Sequence, residues 1–244
     1  MKNEQRAALV MGGSGGIGKA VVEKLTAEGY AVAVHYAGNK EKAEALVDAM
    51  NANGGRAIAV GGDVADEAAM NAVIEAVERE FGGLDVVVNT AGVMTLGPIA
   101  TYDLDQFDAL MRTNVRGTFV VSQLAAQHVR KGGAIINFST SVTRTQFPTY
   151  GPYVASKAAV ESLSLILARE LRGKDITVNA VAPGPTATPL FLEGKDEAAI
   201  EGLSKAAPLE RLGQPDDIAE TVAFLAGPAR WVNGQTIFTN GGLA

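Results

Sequence analysis

No cysteine occurs in the 244 residues. That excludes a disulfide framework, a thiolate metal site and a cysteine nucleophile. Histidine is nearly as scarce: His35 and His128 lie far apart in the chain, so no histidine cluster is available to a metal. There is no block of basic residues and the formal net charge is −6, which argues against nucleic acid as a partner. No apolar run approaches the ~20 residues of a membrane span. The start of the chain, MKNEQRAALV, lacks the layout of a signal peptide, because its apolar stretch leads straight into a glycine loop. The expectation is a cytoplasmic protein with no membrane association and no metal.

What the chain does have is apolar residues, 47% of the total, enough for a sizeable core. Short runs rich in Val and Ile alternate with longer Ala-rich stretches of helical period. The runs are RAALVMG, YAVAVHY, RAIAVGGDV, LDVVVNTAG, GAIINFST, DITVNAVAPG and QTIFTN. Each is apolar almost throughout, as strands buried on both faces of a parallel sheet are. The stretches GIGKAVVEKLTAEG, NKEKAEALVDAMNANGG and DEAAMNAVIEAVEREFGG are charged on one face and end in glycine, as crossover helices do. Seven strands with intervening helices predict one α/β domain over 1–244, a doubly wound parallel seven-stranded sheet of Rossmann type with helices on both faces.

Ligands of such sheets bind at the carboxyl ends of the strands. The first strand end reads MGGSGGIG and opens a helix. Two glycine spacings fit it, Gly13-x-Gly15-x-x-Gly18 and Gly12-x-x-x-Gly16-x-Gly18. In either, the backbone around Ser14, Gly15, Gly16 and Ile17 can approach a pyrophosphate at a helix N-terminus. The second strand ends HYAGNK, with Tyr36 where an acid for an adenosine ribose would stand and no carboxylate before Glu41. Asn39 and Lys40 can donate to a 2′-phosphate, so NADP(H) is expected over NAD(H). After the third strand, Asp63 can accept from an adenine amino group beside the Val64 amide, or it can be the N-cap of the following helix. After the fourth, Asn89, Ala91 and Gly92 are small enough to let the chain pass close to a ribose.

Together with Asn114 in MRTNVRGTF, the YVASK of 153–157 and the PGPTAT of 183–188, these residues resemble the short-chain dehydrogenase/reductase family nearly end to end. The likeness is greatest to its 3-oxoacyl-carrier-protein reductase and polyhydroxynaphthalene reductase groups. Met11 departs from the pattern, which often has Thr before the first glycine, and its loss is expected to remove a local hydrogen bond.

Tyr153 and Lys157 stand at i and i+4, one turn apart on one helix face. A nearby ammonium favours a phenolate, so the pair suits acid–base chemistry close to neutral pH. The resemblance implies that Tyr153 protonates a carbonyl oxygen, that Lys157 lowers its pKa and holds a ribose, and that Asn114 holds a water in a proton relay. It also implies a serine thirteen positions before the tyrosine, to hydrogen-bond the carbonyl. That position is Thr140, the middle of Ser139-Thr140-Ser141; a one-residue deletion before Tyr153 would put Ser141 there instead. Both remain candidates. Pro183, Gly184, Thr186 and Thr188 are implied at the nicotinamide, with a substrate lid over about 186–212. Met94, Phe147, Pro148, Tyr150, Leu190, Phe191 and Leu192 would make an apolar pocket.

The expected activity is reduction of a small carbonyl substrate with NADPH. The alternatives are an NAD-dependent alcohol dehydrogenase and a non-catalytic NADP-binding regulator. Arg130, Lys131, Arg172 and Lys174 could dock an acidic carrier protein bearing the substrate, or simply be cations at helix ends. Long small-residue faces on FDALMRTNVRGTFVVSQLAAQ and ASKAAVESLSLILA predict a homotetramer.

Overall fold

The computed structural model describes residues 5–244. Seven parallel strands form one sheet: β1 (Ala7–Met11), β2 (Ala31–Tyr36), β3 (Arg56–Gly61), β4 (Leu84–Asn89), β5 (Val129–Phe138), β6 (Thr177–Pro183) and β7 (Thr236–Thr239). Their order is β3-β2-β1-β4-β5-β6-β7, every neighbour pair being parallel. The chain winds outward from β1 in one direction and from β4 in the other. The crevice between β1 and β4 is therefore the switch point where such sheets bind ligands.

The helices are α1 (Gly16–Ala27), α2 (Lys40–Ala52), α3 (Glu67–Phe81), α4 (Leu104–Met111), α5 (Gly117–His128), α6 (Val142–Thr145), α7 (Gly151–Glu170), α8 (Pro189–Leu192), α9 (Glu197–Ala206) and α10 (Pro215–Ala226). Alternation along β1 shows why both faces are covered. Ala8 and Val10 pack with Val21 and Leu25 of α1 and Val222 of α10. Ala7, Leu9 and Met11 pack on the other face with Val73 and Val77 of α3 and Leu124 of α5. The predicted glycine stops fall where expected: Gly82 is the left-handed C-cap of α3, and Gly29 and Gly54 take positive φ just past α1 and α2.

Two features were not foreseen. Between α4 and α5 the helix widens into a π-turn at Arg112–Arg116, so Asn114 stands in a π-bulge and not in a regular helix. At the amino ends of the strands, the side chain of Asp85 is nearly buried. It accepts from the Ala7 N–H at 2.7 Å and from Arg130 at 3.0 and 2.6 Å, and the β4–β5 register shifts there.

This end of the sheet also bears on carrier docking. Arg130 and Lys131 lie at the start of β5, and Arg172 and Lys174 lie between α7 and β6. All four are at the opposite end of the sheet from the strand carboxyl ends. Arg130 is engaged by Asp85 and Lys174 donates to the Ala126 carbonyl. They do not form a platform at the mouth of the predicted site.

Candidate active site

The first strand end is a cradle shaped by absent side chains. Gly12 has φ +67°, and a Cβ on Gly16 would meet Thr188 Cγ2 at 2.8 Å. A Cβ on Gly18 would meet Thr90 Oγ1 at 2.8 Å and collide with the Gly12 carbonyl. Gly15 is the N-cap of α1 and no side chain caps that helix. The first amides of α1, around Gly16 and Ile17, are thus left for an anion. Ser14 lies half-buried in the same loop. The hydrogen bond expected to go missing at Met11 is supplied from the neighbouring strand end: Thr90 Oγ1 donates to the Met11 carbonyl at 2.6 Å.

His35, which no sequence motif marked, fixes this cradle. Its Nδ1 accepts from the Gly12 N–H at 3.3 Å and its Nε2–H donates to the Gly62 carbonyl at 2.9 Å. Burial pushes its pKa down to about 4, which keeps the ring neutral for both contacts. The signal available was a lone polar residue inside an apolar strand run.

The Tyr36 ring crosses the end of β3, where a Cβ on Gly61 would meet it at 2.6 Å. Asn39 caps α2 through Oδ1, accepting from the Lys42 N–H at 2.9 Å, while Lys40 is exposed and reaches Glu44 at 3.2 Å. Asp63 is not the N-cap of α3; Asp66 is. Asp63 instead accepts from the Ala65 N–H at 2.9 Å and pairs with Arg112 at 2.6 Å, beside buried Val64. The Ala65 N–H bond, then the Arg112 charge, hold its carboxyl below the usual carboxylate range.

A mainly apolar cleft opens at the carboxyl ends of β4, β5 and β6. Thr140, Ser141, Tyr153 and Lys157 all border it, as do Gly92, Pro183, Gly184, Thr186 and Thr188. Met94, Phe147, Tyr150, Leu190 and Phe191 line it as predicted, whereas Pro148 and Leu192 do not. Leu203 of α9 and Leu243 near the C-terminus also line it, having carried no motif. Thr188 caps α8 and Thr186 pairs across to Gly213, which closes the base of the lid.

The three consecutive hydroxyls have separate partners. Ser139 Oγ donates to Glu161 at 2.5 Å. Ser141 Oγ donates to the Ala182 carbonyl on β6 at 3.2 Å. Thr140 Oγ1 accepts from the Val142 N–H at 3.4 Å, and Thr140 is the one of the three whose hydroxyl bears on the Tyr153 phenol. Glu161, unmarked in sequence, also accepts from Thr143 Oγ1 at 2.9 Å, so one carboxylate holds both ends of the turn that carries Thr140.

Tyr153 is pushed up to about 12, by burial first, with the Thr140 hydrogen bond pulling the other way. Lys157 is pushed down to about 8 by burial. Its Nζ does not reach the phenol oxygen; it donates to the Phe138 carbonyl at 2.9 Å and lies 5.9 Å from the Tyr153 ring centre. Asn114 is fully buried and its amide is spent. Oδ1 accepts from the Val93 N–H, and Nδ2 donates to the Val93 carbonyl and to Ser156 Oγ. Its side chain therefore ties the β4 loop to α7 rather than facing the cleft. Asn89 is buried likewise, donating to Thr118, with Ala91 and Gly92 half-buried above it.

The fold brings a glycine cradle at a helix start and a cleft bordered by Thr140, Tyr153 and Lys157 to the carboxyl ends of one parallel sheet. A family model described as enoyl-(acyl carrier protein) reductase matches residues 12–244. A short-chain type dehydrogenase/reductase of Picea abies is 42% identical, over 97% of this chain and 92% of that one. The 3-oxoacyl-[acyl-carrier-protein] reductase FabG of Staphylococcus aureus is 43% identical over 98% of each. A Burkholderia cenocepacia short-chain dehydrogenase solved in complex with NADP superposes with a TM-score of 0.91, at 38% identity over 99% of each chain. The chain belongs to the short-chain dehydrogenase/reductase family, whose members are NAD(P)-dependent oxidoreductases.

The Lys157 shift gives a test with a definite sign. The folded-state value lies below that of the unfolded chain, so between about pH 8 and 10.5 the unfolded state binds the extra proton and stability rises with pH. Lys157→Met removes this dependence. Its melting temperature relative to the unsubstituted protein is expected to be most favourable near pH 7 and to decline from pH 8 toward 10. A gap that stays constant over that range would show that Lys157 is not depressed.

Proposed function

We propose that the protein reduces a ketone to an alcohol with NADPH. The observation that carries this reading is the placing of Thr140, Tyr153 and Lys157 together on the wall of one mainly apolar cleft. Two O–H groups there converge where a carbonyl oxygen can accept from both. The cofactor, when bound, supplies a hydride to the carbonyl carbon. The site's own task is to hold that carbon in place and neutralise the oxygen. Thr140 donates to the oxygen as it gains charge. Tyr153 then gives up its proton to it. A phenol raised by burial is protonated throughout the neutral range and can serve as the proton donor in reduction. Lys157, the ammonium nearest the phenol ring, stabilises the phenolate left behind. Glu161 acts through Thr140, by fixing the turn from Ser139 to Thr143.

NADPH is favoured by the end of β2. Tyr36 provides a flat side and no carboxylate stands there to repel a 2′-phosphate, while the Asn39 amide and Lys40 are the donors at hand. The NADP-bound Burkholderia relative supports the same choice. A protein of the cytoplasm fits this supply of NADPH. We also place it in a homotetramer. Phe119 on α5 and Ile166 on α7 are each about half exposed, and they share an apolar groove with Met111, Val115 and Leu163. Phe224 and the fully exposed Trp231 are further exposed apolar side chains outside that groove, available to the second axis a tetramer needs.

Fluorescence titration should show tighter binding of NADPH than of NADH; tenfold tighter NADH would reverse the assignment. Light scattering should give a tetramer at micromolar concentration, and a monomer would refute it. Thr140→Ala should lower kcat by roughly 10²–10³ with NADPH binding retained. Thr140→Ser should be tolerated, and Ser141→Ala should stay within about tenfold, because its hydroxyl serves β6. The reverse ranking would assign the carbonyl contact to Ser141.

A further inference from the structure

We infer that the substrate is an uncharged ketone with a ring or other compact apolar body, free in solution and not tethered to an anionic carrier. This rests on the ketone reduction proposed above and concerns what the same cleft selects. The first observation is the wall. Phe147, Tyr150 and Tyr153 stand in a chain of edge-to-face contacts, with ring centres 6.1 and 6.5 Å apart. Phe191, Leu190 and Leu203 face them from the lid. Such ring edges and faces suit a flat apolar group. Gly92, Thr186 and Thr188 border the same space, so only part of the cleft is left to the ketone.

The second observation is charge. Among the described residues lining the cleft, Lys157 is the one cation, and it is tied to the Phe138 carbonyl. An anionic substituent on the substrate would lose its hydration and gain no partner. The lid deepens this. Glu193, Asp196, Glu197, Glu201 and Glu210 all fall within 189–212, against three cations. The segment therefore carries a net charge of −2, with Lys205 paired to Glu201 inside it and Arg211 paired to Asp217 just beyond it. The segment 93–107, which enters the cleft wall at Val93 and Met94, holds Asp103 and Asp105 and no Lys or Arg. Arg144, the cation of the remaining loop, stacks on the Phe238 ring at 5.2 Å. The mouth therefore repels an acidic carrier protein or a phosphorylated acyl carrier.

The test uses the full-length enzyme with saturating NADPH. Three substrates are compared: an aryl methyl ketone, the same ketone bearing a ring carboxylate, and an acetoacetyl thioester on an acidic carrier protein. The neutral ketone should exceed both others in kcat/KM by at least about 100-fold. For the carboxylated ketone, kcat/KM should rise with added salt as the rim is screened, while the neutral one stays flat. Glu201→Lys, at an exposed lid position, should speed the carboxylated ketone several-fold and leave the neutral one unchanged. Fastest turnover of the carrier thioester, with a rate that falls as salt is added, would overturn the inference and leave ketone reduction standing. Turnover of none of the three, with NADPH demonstrably bound, would overturn the proposed reaction and this inference with it.

Discussion

Helix α7 meets the end of β5 through one stripe of side chains a turn apart. Tyr153 takes the Thr140 hydroxyl, Lys157 takes the Phe138 carbonyl, and Glu161 takes Ser139 and Thr143. Residues at i, i+4 and i+8 stay on one helix face, so the stripe can run antiparallel to the turn it grips. Every group in the site is placed by that seam. If it shifts, the phenol, the ammonium and the hydroxyl separate together. The seam itself leans on Asn114, whose amide bonds Val93 and Ser156 and so fixes the β4 loop against the same helix.

The seam is dry, and its chemistry follows from that. An apolar cleft raises the cost of a phenolate and of an ammonium alike, which drives the Tyr153 and Lys157 values in opposite directions. In the free protein the tyrosine is therefore a proton donor at rest. The same dryness that loads the donor makes the cleft hostile to an anionic substrate. Donor strength and selectivity have one cause.

Much of this was legible in the chain. Strands buried on both faces must be apolar throughout, so seven Val- and Ile-rich runs announced the seven strands. Close backbone approach needs glycine, so Gly12, Gly16 and Gly18 announced the cradle. The i,i+4 spacing put Tyr153 and Lys157 on one helix face, and both border the cleft. What stayed hidden depends on contacts between residues distant in sequence. Glu161 looks like any polar helix residue until β5 is laid beside it. His35 gains its meaning only when the loops at Gly12 and Gly62 come together. The separate partners of Ser139 on α7 and Ser141 on β6 were hidden as well, because no local pattern encodes them. Which end of the sheet the basic residues near β5 and β6 occupy was hidden too, since composition does not say where a loop lies.

The seam is tested most directly by a double-mutant cycle on kcat between Glu161 and Thr140. If Glu161 acts by placing Thr140, Glu161→Ala lowers kcat in the otherwise unchanged protein and Glu161→Gln, which still offers an acceptor oxygen, restores most of it. In the Thr140→Ala background, Glu161→Ala should then change kcat by less than about twofold. Fully additive losses, with Glu161→Ala costing as much without the Thr140 hydroxyl as with it, would contradict the account.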